Sequence, residues 1–199
     1  MMHAPTTHRA PMLYQIVALL LEVAAGLLAG TCLLRLYMQV QRIPMSARSG
    51  NPLSKFIFAL TDWLVLPLRR VVPAAGSVDT ASLLAAWLVE LGQFVVLWGL
   101  SGMQWSLVTV VVMATFGVVR MAVTGLSVLV IAYAVVSWLQ TRSFLSDLLE
   151  RLVMPLLMPI RRVLPLVGGI DLSPLVLLVL LQIAAIVLGH IQATVLFAV

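Results

Sequence analysis

Cysteine, charge and aromatic side chains are all scarce in this chain. Among 199 residues there is one cysteine, Cys32, so no intrachain disulfide can form and a disulfide-stapled fold is excluded. Charged residues make up 10% and aromatics 7%, while 62% of the chain is hydrophobic. A soluble domain carries roughly 25% charge and about 45–50% apolar residues. The mean hydropathy is +1.13. Disorder is excluded as well, because disordered segments are poor in the apolar residues abundant here. The formal charge of +5 rests on only 12 basic residues, and they cluster between long apolar runs, which fits membrane topology better than nucleic-acid binding. Gly-rich phosphate loops, Cys/His clusters and paired soluble carboxylates are missing too, so the expectation is no cofactor and no metal. His3 and His8 in the N-terminal tail read as solvated.

What is present is lipid-crossing sequence. A membrane helix needs about 20 mostly apolar residues to traverse roughly 30 Å of hydrocarbon with its backbone satisfied internally. Four stretches qualify: Met12 to Leu34, Ala81 to Leu100, Gly117 to Leu139, and Pro174 to Phe197. Trp105 to Phe116 is apolar but too short to cross alone; it either lengthens the third span or lies at the interface. Leu28-Ala29-Gly30-Thr31-Cys32 loosely matches a lipoprotein cleavage box, but threonine before the cysteine and Glu22 within the run favour a retained helix.

Basic residues mark the cytoplasmic side. Arg35, Arg42, Arg48, Lys55, Arg69 and Arg70 fall in one connection, and Arg142, Arg151, Arg161 and Arg162 in another. Four spans with both termini periplasmic place both connections in the cytoplasm; a fifth crossing would put them on opposite sides.

The two basic connections repeat each other. Pro67-Leu68-Arg69-Arg70-Val71-Val72-Pro73, then Gly76, Asp79 and Leu83, matches Pro159-Ile160-Arg161-Arg162-Val163-Leu164-Pro165, then Gly168, Asp171 and Leu175, without gaps and 92 residues later. The expected fold is therefore all-α, with four transmembrane helices arranged as two parallel hairpin repeats, each with a cytoplasmic interfacial amphipathic helix. The organisation is a tail (1–11), a first repeat (12–100), an apolar connection (101–116) and a second repeat (117–199). In the first interfacial helix Lys55, Asp62 and Arg69 share a face, with Phe56, Ile57, Phe58, Leu60, Trp63 and Leu64 turned to lipid. In the second, Ser146, Asp147, Glu150 and Arg151 oppose Leu145, Leu148, Leu149 and Leu152. Pro67 and Pro73, and Pro155, Pro159 and Pro165, are expected to break these helices and turn the chain, with each Arg pair directly after the break. Ser173-Pro174 reads as an N-cap followed by proline at the first helical position.

These features resemble the YggT family of bacterial inner-membrane proteins, related to the YlmG proteins of cyanobacteria and chloroplasts. The duplicated Pro-x-Arg-Arg-x-x-Pro-x-x-Gly-x-x-Asp carries the resemblance over nearly the whole chain after residue 12. Asn51-Pro52 fits the pair expected before the amphipathic helix; the second copy has Arg142-Ser143-Phe144 there and keeps the fuller Gly168-Gly169-Ile170-Asp171-Leu172-Ser173-Pro174 ending. The resemblance implies links to osmotic or ionic tolerance, to envelope and division organisation, and to cofactor assembly in plastids. It implies no catalytic residue.

Two sets of residues are candidates for function. Arg69, Arg70, Arg161, Arg162, Lys55 and Trp63 suit an interface with anionic lipids or with an unidentified membrane protein partner. Within the spans lie Glu22, Glu90, Arg120, Gln182 and His190, each costly in lipid unless paired or facing a cavity. Gln182 lies 92 residues after Glu90, at equal depth, so the two are candidates to face each other. Glu22 and Glu90 either bond helices together, helped by glycines that permit close approach, or line a cation path that needs a homo-oligomer to enclose it. Gly99-Leu100-Ser101-Gly102 and Gly189-His190 resemble motifs of rhomboid proteases, a remote alternative in a chain this small. The expectation is a non-enzymatic organiser or assembly factor of the bacterial inner membrane.

Overall fold

Inside lipid a peptide group has no water to bond, so long apolar runs form helices that satisfy their own backbone. A computed structural model describes residues 12–45, 52–72, 78–101, 106–139, 143–164 and 171–198. Within these are six helices: α1 (Met12–Val40), α2 (Pro52–Val71), α3 (Thr80–Ser101), α4 (Leu107–Trp138), α5 (Phe144–Arg161) and α6 (Ser173–Ala198). Four of them, α1, α3, α4 and α6, are long and apolar enough to cross a membrane. The short apolar run around residues 107–116 lengthens the third span, since α4 continues unbroken from Leu107.

Small side chains set the closest packing. Ala25, Ala29 and Cys32 of α1 are buried, as are Ala81, Ala85 and Ala86 of α3, so these two helices approach closely. α3 also packs on α4, and α4 on α1, α5 and α6. A second core gathers Met38, Val130, Leu152, Leu157 and Leu177, joining the ends of α1 and α4 to α5 and α6.

Pro67, Pro155 and Pro159 do not break their helices, which end instead just ahead of Pro73 and Pro165. α2 runs through Pro67 to Val71, and α5 through Pro155 and Pro159 to Arg161. A proline removes a hydrogen bond to the carbonyl four residues earlier. Here those carbonyls belong to Trp63, Arg151 and Pro155, all exposed like the prolines themselves, so no packed neighbour is displaced by the proline rings. Each Arg pair therefore belongs to the end of its helix; only Arg162 caps α5 rather than lying within it. The apolar side of α5 also differs from expectation. Leu148, Leu149 and Leu152 are buried against protein, because α5 docks on α4 and α6 and its Leu152 carbonyl accepts the Tyr37 hydroxyl of α1 at 2.7 Å. Ile57 of α2 is fully buried too.

Helix ends carry recognisable caps. Ser106 Oγ accepts from Thr109 N at 3.1 Å to open α4, and Ser143 forms a capping box with Ser146 to open α5. At α6 the side-chain acceptor is Asp171, whose Oδ1 takes the Ser173 N–H at 2.9 Å, with Ser173 the first helical residue. α1 ends in a Schellman-type turn, with Ile43 N bonded to Met38 O at 2.9 Å. The left-handed position of that turn is taken by Arg42, at φ 53°.

Candidate functional site

The repeated motif builds the same contact twice. Arg69, near the end of α2, forms an ion pair with Asp79, just ahead of α3. Arg161, at the end of α5, does so with Asp171, ahead of α6, at 2.6 Å from Nη2 and 2.8 Å from Nε. In the first pair the guanidinium fork meets both oxygens of Asp79, Nε on Oδ1 and Nη2 on Oδ2, whereas in the second both nitrogens converge on Oδ2 of Asp171. Each pair clasps a short helix to the long helix that follows it.

The two clasps differ in depth. The Asp79 side chain is 1% exposed and also accepts the Ser82 hydroxyl at 2.7 Å. Burial pushes its carboxyl pKa upward, but the bonds from Arg69 and Ser82 outweigh that and hold it below the usual range. Asp171 is less buried; there too burial is outweighed, by Ser173 and Arg161, and the pKa is lowered. Arg161 has further partners, donating to the Tyr133 hydroxyl of α4 at 3.0 Å and lying 3.0 Å from Met154 Sδ.

The second arginine of each pair is disposed differently. Arg70 and Arg162 are exposed, as is Lys55. Trp63 is 62% exposed, its indole N–H bonded to the Leu60 carbonyl, and Val71 and Val163 beside the arginines are exposed as well. Basic and apolar side chains thus stand side by side at the end of α2 and again at the end of α5.

Arg35 belongs to none of these groups. Counted from sequence as a loop cation, it lies within α1 and is 2% exposed. It donates to Thr61 Oγ1 at 2.6 Å and Asp62 Oδ1 at 2.7 Å, and lies 4.8 Å from the Phe58 ring centroid. It ties α1 to α2, a role that is invisible until the chain is known to fold back. The Lys55, Asp62 and Arg69 spacing signalled the polar face but not the cation that reads it.

Among the in-span polar residues, Glu90 is 5% exposed. Its carboxylate lies over Gly117 of α4, where a Cβ would stand only 2.6 Å from Oε2. Gln182 is exposed on α6 and takes no part in that contact. Glu22 is exposed on α1. Arg120 of α4 bonds the amide oxygen of Gln192 on α6. Gln192 escaped notice in the sequence, although a glutamine near the end of an apolar helix was the available signal. His190 is exposed, its Nδ1 3.0 Å from the Ile186 carbonyl of its own helix. His3, His8, Asn51, Gly76 and Gly168 lie outside the described residues, as does the side chain of Ser101.

The CCB3/YggT family model matches residues 13–100 and again 112–192. The chain belongs to the CCB3/YggT family. An Escherichia coli relative described as "Uncharacterized protein YggT" is 35% identical over 168 residues, covering 82% of this chain and 84% of the relative. A Vibrio alginolyticus protein is 33% identical over 162 residues (80% and 85%), and a Pseudomonas aeruginosa protein 34% over 173 (78% and 79%). No solved structure matches. The two CCB3/YggT matches each contain one Arg–Asp clasp.

Proposed function

We propose that this CCB3/YggT protein is a non-enzymatic organiser or assembly factor of the bacterial inner membrane, linked to envelope and osmotic homeostasis. Its two halves are parallel repeats, with α2 and α5 amphipathic at the cytoplasmic interface and both termini periplasmic. The observation that carries this reading is the division within each Arg pair. Arg69 and Arg161 are spent on Asp79 and Asp171, whereas Arg70 and Arg162, with no ion pair among the described residues, stand exposed beside exposed Val71 and Val163. Exposed charge next to exposed apolar surface suits the headgroup layer, where an arginine meets lipid phosphate and its neighbour meets acyl chain. A partner protein's acidic juxtamembrane segment would meet the same surface.

The division also says which variant tests the reading. Arg70→Gln with Arg162→Gln leaves both clasps intact. Its selectivity for spin-labelled anionic over zwitterionic lipid should fall by about fivefold for each arginine, the equivalent of about 1 kcal/mol apiece. Unchanged selectivity together with unchanged partner recovery by crosslinking refutes the proposal.

A second reading, an oligomeric cation path, draws on the buried mid-span carboxylate of Glu90. Its test is flux into reconstituted vesicles that Glu22→Gln and Glu90→Gln abolish; a wild type without flux ends it.

A further inference from the structure

Away from the clasps, two polar contacts meet on α4. The Glu90 carboxylate of α3 lies over Gly117, and Arg120, one turn further along α4, bonds the amide oxygen of Gln192 on α6. α3 and α6 both pack on α4 and have no comparable packing on each other among the described residues. The repeat does not dictate this arrangement. The residues 92 positions before Gly117 and Arg120 are Ala25 and Leu28, and the one 92 positions after Glu90 is Gln182, so the group is built once.

Glu90 is 5% exposed, and among the described residues neither an ion pair nor a hydrogen bond reaches its carboxylate. An acid left in that state within a membrane span is costly. The charges that act on it are those of Arg120 and of Glu22 on α1, and Glu22 stands exposed. Arg120 has the reach to meet it. Side chains three apart on a helix are neighbours, with Cβ atoms about 5–6 Å apart, and each leans toward the helix N-terminus. That lean directs Arg120 over the turn holding Gly117, where Oε2 of Glu90 stands 2.6 Å from the Cβ position. Exchanging Gln192 for Glu90 is therefore within the length of the arginine side chain.

Opposing terms balance the two positions. A carboxylate adds the attraction of a second charge, which an amide oxygen lacks. Reaching it moves the guanidinium from its exposed place into the helix contact, which costs desolvation. We propose that Arg120 is a two-position tie, joining α4 to α6 through Gln192 and, in a second arrangement that frees the end of α6, joining α4 to α3 through Glu90. The exchange lets α3 and α6 respond to one another through a single side chain. It involves neither Arg70 nor Arg162, and it needs no ion to cross the membrane.

The test uses the full-length chain in lipid nanodiscs with Cys32→Ser as background. Spin labels at Leu107→Cys and Phe197→Cys, exposed residues at adjoining ends of α4 and α6, read the distance between those ends. The distribution should contain a shorter and a longer distance. Glu90→Gln removes the charge of the second acceptor and should lower the longer population at least about threefold, whereas Gln192→Leu should raise it by a similar factor. Unfolding supplies a second measurement. Gln192→Leu alone should shift the unfolding equilibrium by less than about threefold, because Glu90 takes over the arginine, but by about tenfold in a Glu90→Gln background. Three results overturn the proposal: a distance distribution that Glu90→Gln leaves unchanged, the same cost of Gln192→Leu in both backgrounds, or a coupling that Glu22→Gln reproduces in full, which would make Glu22 the second acceptor.

Discussion

A hydrogen in place of a methyl group at residue 117 is what lets an acid lie between two spans. Adding one carbon there forces the Glu90 carboxylate to move, with Phe94 also close at 3.4 Å. Gly117→Ala should therefore destabilise the protein in detergent unfolding, whereas in a Glu90→Ala background the same change should be nearly neutral. The double-mutant cycle should show a coupling of about 1 kcal/mol. Equal effects in both backgrounds would mean that the carboxylate does not occupy that space. Arg42 is a second residue-scale case. Its φ of 53° puts a Cβ where glycine is favoured. Arg42→Gly should raise the unfolding free energy by roughly 0.5–1 kcal/mol, measured by the same unfolding assay, because the αL strain disappears.

At the scale of elements, the Arg–Asp clasps hold α2 to α3 and α5 to α6, and the unequal burial of their carboxylates makes them unequal in strength. Asp79→Asn should cost roughly 1.5–3 kcal/mol, the range for a hydrogen bond to a charged group. Asp171→Asn involves a pair about a third exposed, so solvent screening should hold its cost to about 0–1 kcal/mol. Both carboxyl pKa values are lowered in the folded chain. A lowered pKa means the stabilisation is complete above the unfolded value, near 3.9, and is lost as pH falls through the lower folded value. Thermal unfolding should thus be insensitive to these groups from pH 7 to about 5 and weaken below about 4. Asp79→Asn should flatten more of that acid limb than Asp171→Asn.

For the molecule as a whole, hydropathy and the repeated motif were enough to place four spans and to mark Arg69, Arg161, Asp79 and Asp171 as special. Their pairing was not legible, because a motif shows that residues recur and not which of them touch. Arg35 was misplaced for a related reason: a cation at the end of an apolar run reads as a loop residue until Thr61 and Asp62 fold back to meet it. Pro67, Pro155 and Pro159 misled because proline's cost depends on what surrounds the orphaned carbonyl and the ring, here an exposed face of each helix, which sequence does not state. The parallel arrangement has its own test. Lys55 and Asp147 stand 92 residues apart and both are exposed. With Cys32→Ser, cysteines at these two positions should both react with an impermeant maleimide applied from the cytoplasmic side; opposite sidedness would reverse the orientation of one half.

Each Arg–Asp contact closes a loop of only ten residues, and closures that short take on the order of 10–100 ns. The bends can therefore lock almost as soon as the chain leaves the insertion machinery. Docking of α1 against α4, partners far apart along the chain, closes a much longer loop and is the slower step. The order of assembly is thereby written into two ten-residue spacings.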